Sequence, residues 1–533
     1  MSTPMTWSLS IRHDPWLDNG LEVLAGIAET IARQHPQVLA VRLEPDGLRL
    51  EILHAGRFRR LLVQQTAYQI ENAFYTPEPG RKVLRPFVGF NQQPPKQHPE
   101  IYRDRETLES FVENLLNGIL QPSSQRARLT CPFCGAPAIT KRTLSVYPFA
   151  TKTKALGGQA VWAGDGLRGL SEYGPICEMC AFLGMLAWSD TALLYRCDIG
   201  GRQKRKREST ALLALPWPQP LDLRRLHEQK QRYRLALNPT DRRSNVRVIT
   251  RWGEQEREDW PPQAWTTLLA FYEAALGRVL GQIQGVNESA WFEPTARVIP
   301  DGWVLLRIPQ GRMKDITATD WFMEDITLRI LRSLIEENIL PYQGVLTGMW
   351  LTSEGQRVNQ DDIAAWREER AAAFLQNEYG RFAEGFGIRQ RRTLGFYGVA
   401  IEGLHRWTQL WLKERGTMTE QELELVRRAG RTIGRIAGAQ RRATLLYGLE
   451  RARAASDLLK ILSEAVHRLI GMEAQEMRDQ YLSLEALDRL TALVHVQATD
   501  TQRFADMKHT LFIYAGLEYA GAVRGQVAEA TPR

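Results

Sequence analysis

The 533-residue chain has no run of about 18 consecutive apolar residues, which argues against a membrane-spanning helix. Its first residues, Met1 to Trp7, lack the basic-then-apolar pattern of a secretion signal. It contains no Walker loop, dinucleotide fingerprint or nucleophile elbow. The nine histidines are scattered, and no two of them stand at metal-ligand spacing. No period marks a repeat array. Cysteine is scarce, at five residues. Proline is missing from about residue 361 until Pro532. These absences weaken an enzymatic reading and point to a soluble, cytoplasmic, multidomain protein with no membrane partner.

What is present supports a sizeable core: 44% of residues are hydrophobic and 24% charged. The expected fold class is α+β. A mixed N-terminal lobe carries an inserted four-cysteine module and is followed by a C-terminal helical bundle. Four segments are expected: 1–130 mixed, 131–200 the cysteine-bearing insertion, 201–360 a basic α+β region completing the lobe, and 361–533 the bundle. Apolar spacing predicts helices over 17–34 (with Asp18 or Asn19 as N-cap), 104–120, 262–281 and 320–339. Strands are predicted over 39–43 and 48–52 around Pro45-Asp46-Gly47, over 58–63, and over the apolar run 303–308. Residues 89–99 read as loop, the glycine-rich stretch from Gly157 to Gly169 as mostly loop, and Pro216, Pro218 and Pro220 as a non-helical connection.

The formal net charge of +8 is unevenly spread. Residues 201–251 hold 14 Lys and Arg against four acids, which leaves the rest of the chain slightly acidic. A local excess of this kind suits a polyanion, because each neutralised phosphate releases condensed counterions. Lys204, Arg205, Lys206, Arg207, Arg224, Arg225, Arg242 and Arg243 are the candidate phosphate contacts.

Cys131-Pro-Phe-Cys134-Gly and Cys177-Glu-Met-Cys180 have the two-plus-two layout of a tetrahedral zinc site. Each pair forms a knuckle whose thiolates converge on one ion, and Gly135 frees the turn. Four thiolates with no open position indicate a structural ion. The 42 residues between the pairs imply an insertion closed by the metal. Cys197 is spare and reads as a small buried hydrophobe.

Thr419-Glu420-Gln421-Glu422 is a capping box that starts a helix after Met418. That helix carries Arg427, Arg431 and Arg435 at i, i+4, i+8, with Arg428 beside them and Arg441 and Arg442 beyond. Like charges at this spacing repel, so an anionic backbone lying along the row is expected. Gly430, Gly434 and Gly438 form a second stripe, which implies close approach by another helix or by a nucleic-acid backbone. The paired acids Asp361 and Asp362 are explained by a helix start.

Taken in order, these features resemble the large subunit of type I CRISPR Cascade surveillance complexes, closest to the type I-B and related type I-A forms. Asp14-Pro15-Trp16-Leu17-Asp18-Asn19-Gly20-Leu21 resembles the N-terminal Asp-Pro motif running into a small-residue helix. The two cysteine pairs resemble the zinc-binding insertion. The arginine-rich helical end resembles the family's C-terminal domain, which is like the small subunit.

The resemblance implies a non-catalytic subunit near the 5′ end of the guide RNA. It would recognise the short target-flanking motif in double-stranded DNA, help open the duplex into single strands, and help recruit a helicase–nuclease or transposition proteins. Its other partners would be the complex's backbone and small subunits, and guide pairing reads the rest of the target. By chemistry, Asn91, Gln92 and Gln93 are candidate base readers, since amides bridge adenine N6 and N7. Gln282, Gln284 and Asn287 form a second such group. In some type I-B systems the small subunit starts inside the large-subunit gene, and Met418 is placed to begin a self-contained helical unit. The rival readings are a zinc-ribbon nuclease and a free-standing zinc-ribbon DNA-binding regulator.

Overall fold

The computed structural model describes residues 5–78, 81–84, 99–102, 104–120, 129–131, 133–138, 160–162, 167–169, 176–199, 209–237, 244–246, 248–252, 255–259, 261, 263–283, 299–310, 317–353, 356–387, 392–470 and 484–530. The fold is mixed helix and strand with a C-terminal helical region and a four-cysteine cluster, as expected. The chain forms two compact units, Met1–Arg247 with Gly281–Phe322, and Val248–Leu280 with Met323–Arg533. These boundaries differ from those of the four sequence segments. Segment 201–360 is divided between the units, and the helical unit begins before residue 361 and recruits a helix from the middle of the chain.

The first unit is built on α1 (Pro15–Gln34). Its cap is Asp14 rather than Asp18 or Asn19: the Asp14 carboxylate accepts the N–H groups of Trp16 and Leu17 at 3.0 and 2.8 Å. Pro15 takes the first helical position, where its missing N–H costs nothing. Leu21, Leu24, Ile27 and Ile31 face the core, as their spacing predicts. Strands β1 (Met5–Ser10), β2 (Leu39–Glu44) and β3 (Gly47–Ile52) form an antiparallel sheet in the order β1-β3-β2. The expected strand at 58–63 lies instead within α2 (Ala55–Phe74). Phe58, Leu62, Ala67, Ile70 and Phe74 are its buried stripe, and a six-residue window was too short to separate period 2 from period 3.6.

Helices α3 (Arg105–Leu120), α4 (Glu178–Trp188) and α5 (Leu223–Tyr233) complete the helical layer. A second antiparallel sheet runs β4 (Leu194–Ile199), β5 (Ser209–Pro216), β6 (Gly302–Gln310), β7 (Thr317–Phe322). β6 is the predicted apolar strand, and its Trp303, Val304, Leu305 and Leu306 are buried. The prolines at 216–220 do form a non-helical connection between β5 and α5.

In the second unit, α6 (Ala264–Ile283) matches its expected helix. The helix expected over 320–339 is shorter: residues up to Phe322 belong to β7, and α7 spans Asp325–Glu336. Strand β8 (Met349–Ser353) precedes α8 (Gln360–Leu375), whose cap is Asn359, accepting the Asp362 N–H at 2.8 Å. β8 pairs with β9 (Arg392–Phe396), so the region after 361 is not purely helical. Next come α9 (Gly398–Glu414), α10 (Glu420–Ala439), α11 (Thr444–Arg451), α12 (Ala455–Ile470), α13 (Leu484–Gln497) and α14 (Thr501–Ala530). Phe374 sits edge-on to Trp407 and Trp411, with ring centroids 4.7 and 5.0 Å apart, at the centre of an aromatic core. Such edge contacts add to the area these rings bury.

Candidate metal centre and basic surfaces

Cys131 and Cys134 sit on a knuckle closed by the short strands Leu129–Thr130 and Pro137–Ala138. The Cys131 N–H bonds to the Ala136 carbonyl at 2.8 Å, and the Gly135 N–H to the Cys131 carbonyl at 2.9 Å. Gly135 has φ +69°, the left-handed conformation that suits glycine there. Cys177 is the N-cap of α4, where its sulfur accepts the Cys180 N–H at 3.4 Å.

The four sulfurs lie within 4.8 Å of one another. Cys134 Sγ is 3.5 Å from Cys177 Sγ and 3.7 Å from Cys180 Sγ. A tetrahedron with bonds of about 2.3 Å has edges of about 3.8 Å, so the spacing suits one tetrahedral ion. Three of the four cysteines are buried, and Cys134 is partly exposed. Hydrogen bonding among the thiols holds Cys131 far below the ordinary thiol range and pushes Cys177 and Cys180 far above it. A cation among them is the ordinary way to ionise all four. The cluster can therefore hold a metal ion, and the residues fit a closed, structural site. Among the described residues it is the only group of metal-type ligands that converges.

The helical end of the segment read as an insertion is part of the core. Every residue of α4 from Cys180 to Trp188 is buried. Trp16 stacks edge-on against Trp188 at 4.9 Å, and its indole N–H donates to the Gly184 carbonyl at 3.0 Å. A Cβ at Gly20 would lie 2.0 Å from the Leu183 carbonyl oxygen, so α1 and α4 meet backbone to backbone there. Gly157, Gly158, Gly164 and Gly166 lie outside the described residues, as does the Cys197 side chain; Gly169 ends a short strand.

Of the basic window, Lys204, Arg205, Lys206, Arg207, Arg242 and Arg243 lie outside the described residues. So do Asn91, Gln92 and Gln93, and also Gln284 and Asn287 of the second amide group. Arg224 is exposed and donates to the Leu43 carbonyl at 3.0 Å. Arg225 pairs with Asp301 at 2.7 Å. Lys230 is fully buried between Glu22, at 2.9 Å, and Asp190. His227 bridges Glu22 and Glu29 at 2.9 and 3.1 Å. Burial opposes ionisation of Glu22, but Lys230 and His227 outweigh it and hold that carboxyl below the usual carboxylate range. Burial likewise opposes protonation of His227, and its two glutamates overcome this and raise it to about 9.

The sequence reading missed this network. Its signal was a pair of patterns: His227 and Lys230 three apart on α5, and Glu22 and Glu29 seven apart on the apolar helix α1.

On α10, the arginine row is answered from within. Arg427 and Arg428 pair with Glu424 at 2.7 and 2.9 Å. Arg431 pairs with Glu518 of α14 at 3.2 Å, and Arg435 pairs with the same carboxylate. The self-repulsion of the row therefore does not require an external anion. Arg428 and Arg442 remain exposed. The glycine stripe receives α14, the helix alternative of the two expected. A Cβ at Gly430, Gly434 or Gly438 would lie 2.8, 2.3 or 2.6 Å from atoms of that helix.

No helix of the described residues is long and apolar enough to cross a membrane. No family model matches the chain, and no curated protein matches it.

Proposed function

We propose that the chain is the non-catalytic large subunit of an RNA-guided, type I-B-like surveillance complex, with Zn²⁺ at the four cysteines. The observation that carries the reading is the order of parts. The Asp14-Pro15 helix start comes first, then the four-thiol centre, then the basic window, and last the arginine-bearing helical region. The Asp-Pro motif gains weight from its place: it caps the helix that packs on the cysteine-bearing helix α4. Four thiolates with tetrahedral spacing favour zinc and leave no open position for chemistry.

In this reading the subunit works in the cytoplasm. It contacts the guide RNA 5′ end, recognises the flanking motif in duplex DNA, aids strand opening, and helps recruit a helicase–nuclease or transposition proteins. Exposed Arg224 and Arg442 serve as phosphate contacts, with Lys204 to Arg207, Arg242 and Arg243. Contacts of this kind set register and orientation on the nucleic acid and carry no sequence information themselves.

The test is a tagged pull-down of the full chain from its native host, with bound RNA and protein identified. Short RNAs of uniform length sharing one end, together with a multicopy backbone protein, are the expected result. Recovery of the chain alone would overturn the reading. Tight binding to one duplex without RNA would favour a free-standing regulator, and metal-dependent cutting by the purified chain would favour a nuclease. Removing an exposed arginine should weaken binding across sequences and reduce the salt slope by about 1 per lost phosphate contact.

A further inference from the structure

We propose that metal binding at Cys131, Cys134, Cys177 and Cys180 is a folding step of the first unit, and not the closure of an appended clip. This rests on the metal-site part of the proposed function and is independent of the nucleic-acid part. Three observations carry it.

Cys177 is at once a candidate ligand and the N-cap of α4, so the ion and the helix share their first residue. α4 is buried from Cys180 onward and fixed to α1 by the Gly20 contact and by Trp16. The Cys131–Cys134 knuckle, by contrast, closes on its own backbone hydrogen bonds and is flanked by strands of two residues. The sulfur cluster ties it to α4, with Phe133 and Ala136 resting on the core beside it.

Without a cation, the four sulfurs have no shared ligand to tie the knuckle to the start of the helix. The start of α4 would then lose its anchor, and the α1–α4 seam is the next contact along the helix. A site that forms only in the folded state places its binding free energy in the folding equilibrium.

The experiment uses the full chain. Metal is first quantified by its release when the thiols are modified. Hydrogen exchange is then followed with metal bound, after chelation, and after reloading with Co²⁺, whose visible absorption reports tetrahedral thiolate ligation. Chelation should speed exchange in residues 178–188 and 15–34, by about 1,000-fold if the free ion stands at a thousand times its dissociation constant. Exchange in α10 and α14 should stay unchanged, and Co²⁺ should restore protection. Cys180→Ser should speed exchange in the same two helices; should it fail to fold, Cys134→Ser, at the least buried ligand, reads the same coupling.

Released metal with unchanged exchange in α1 and α4 would overturn the coupling and leave the metal site standing. Equal loss of protection in α10 and α14 would overturn the restriction to the first unit. A chain that neither carries nor takes up metal would overturn the metal site itself.

Discussion

Two basic helices, α5 and α10, meet their acids in opposite ways. α5 turns His227 and Lys230 inward, where Glu22 and Asp190 meet them in the core and Glu29 meets His227 at its edge. α10 keeps its arginines at the surface, braced by Glu424 and Glu518. Both stretches read alike as local positive charge. The difference is where the acids sit, buried for Glu22 and Asp190 and at the surface for Glu424 and Glu518, and the partners can be remote: Glu22 lies 208 residues from Lys230, and Glu518 lies 87 from Arg431. A charge count over a window sees neither. Net charge thus speaks for a polyanion only through the residues whose acids are not already supplied.

The comparison can be broken most sharply at Lys230. Lys230→Met leaves Asp190 buried without its cation and Glu22 with His227 alone, and breaking a buried pair in this way costs about 3–5 kcal/mol. Urea unfolding of the first unit should show it. A loss below about 1 kcal/mol would place this pair in the same class as the surface pairs of α10.

His227 comes next, and its effect depends on pH. Its folded value of about 9 lies above the ordinary imidazole value of 6.5. The charged form is favoured in the fold, so its stabilisation is fully present below about pH 6.5 and is lost as pH rises through 9. His227→Gln should therefore cost up to about 3 kcal/mol at pH 6 and little at pH 10. A cost that does not change with pH would mean that the ring acts by packing alone.

The glycine seam should give a smaller effect. Gly434→Ala sets a methyl 2.3 Å from the Ala515 carbonyl oxygen, which is backbone and cannot swing aside. Overpacking of about 1–3 kcal/mol is expected, read as a lower melting temperature. The smallest effect belongs to the α10 row. A double-mutant cycle between Arg431 and Glu518 should return about 0.2–1 kcal/mol, shrinking with added salt. A larger, salt-resistant value would erase the contrast with α5.

Local chemistry was legible in the sequence, and remote pairing was not. The four cysteines, the capping box at Thr419–Glu422, the β2–β3 hairpin and the run of apolar positions in α1 each carry their signal within a few residues. Glu424 also stood within one helical turn of Arg427 and could have been weighed against the row's repulsion. The central position of α4 was hidden because its cysteines suggested a separate module, although its continuous apolar run fits a buried helix. The cap of α1 was misplaced by four or five residues because Asp14, Asp18 and Asn19 are all chemically eligible. The Pro15 that follows Asp14 was the discriminating signal.

Helix α14 faces more than α10. Tyr379 shares a hydrogen bond with Thr510 at 2.8 Å, and Arg415 pairs with Asp506 at 2.9 Å. Phe512 presses on Gly387, and Gly516 lies under the Phe386 carbonyl. All of these partners precede Met418, which is itself buried. A shorter translation product begun at Met418 would thus emerge with one side of its longest helix undressed. Such a polypeptide would be gregarious, drawn to copies of itself or to any neighbour offering the same small-residue and aromatic surface.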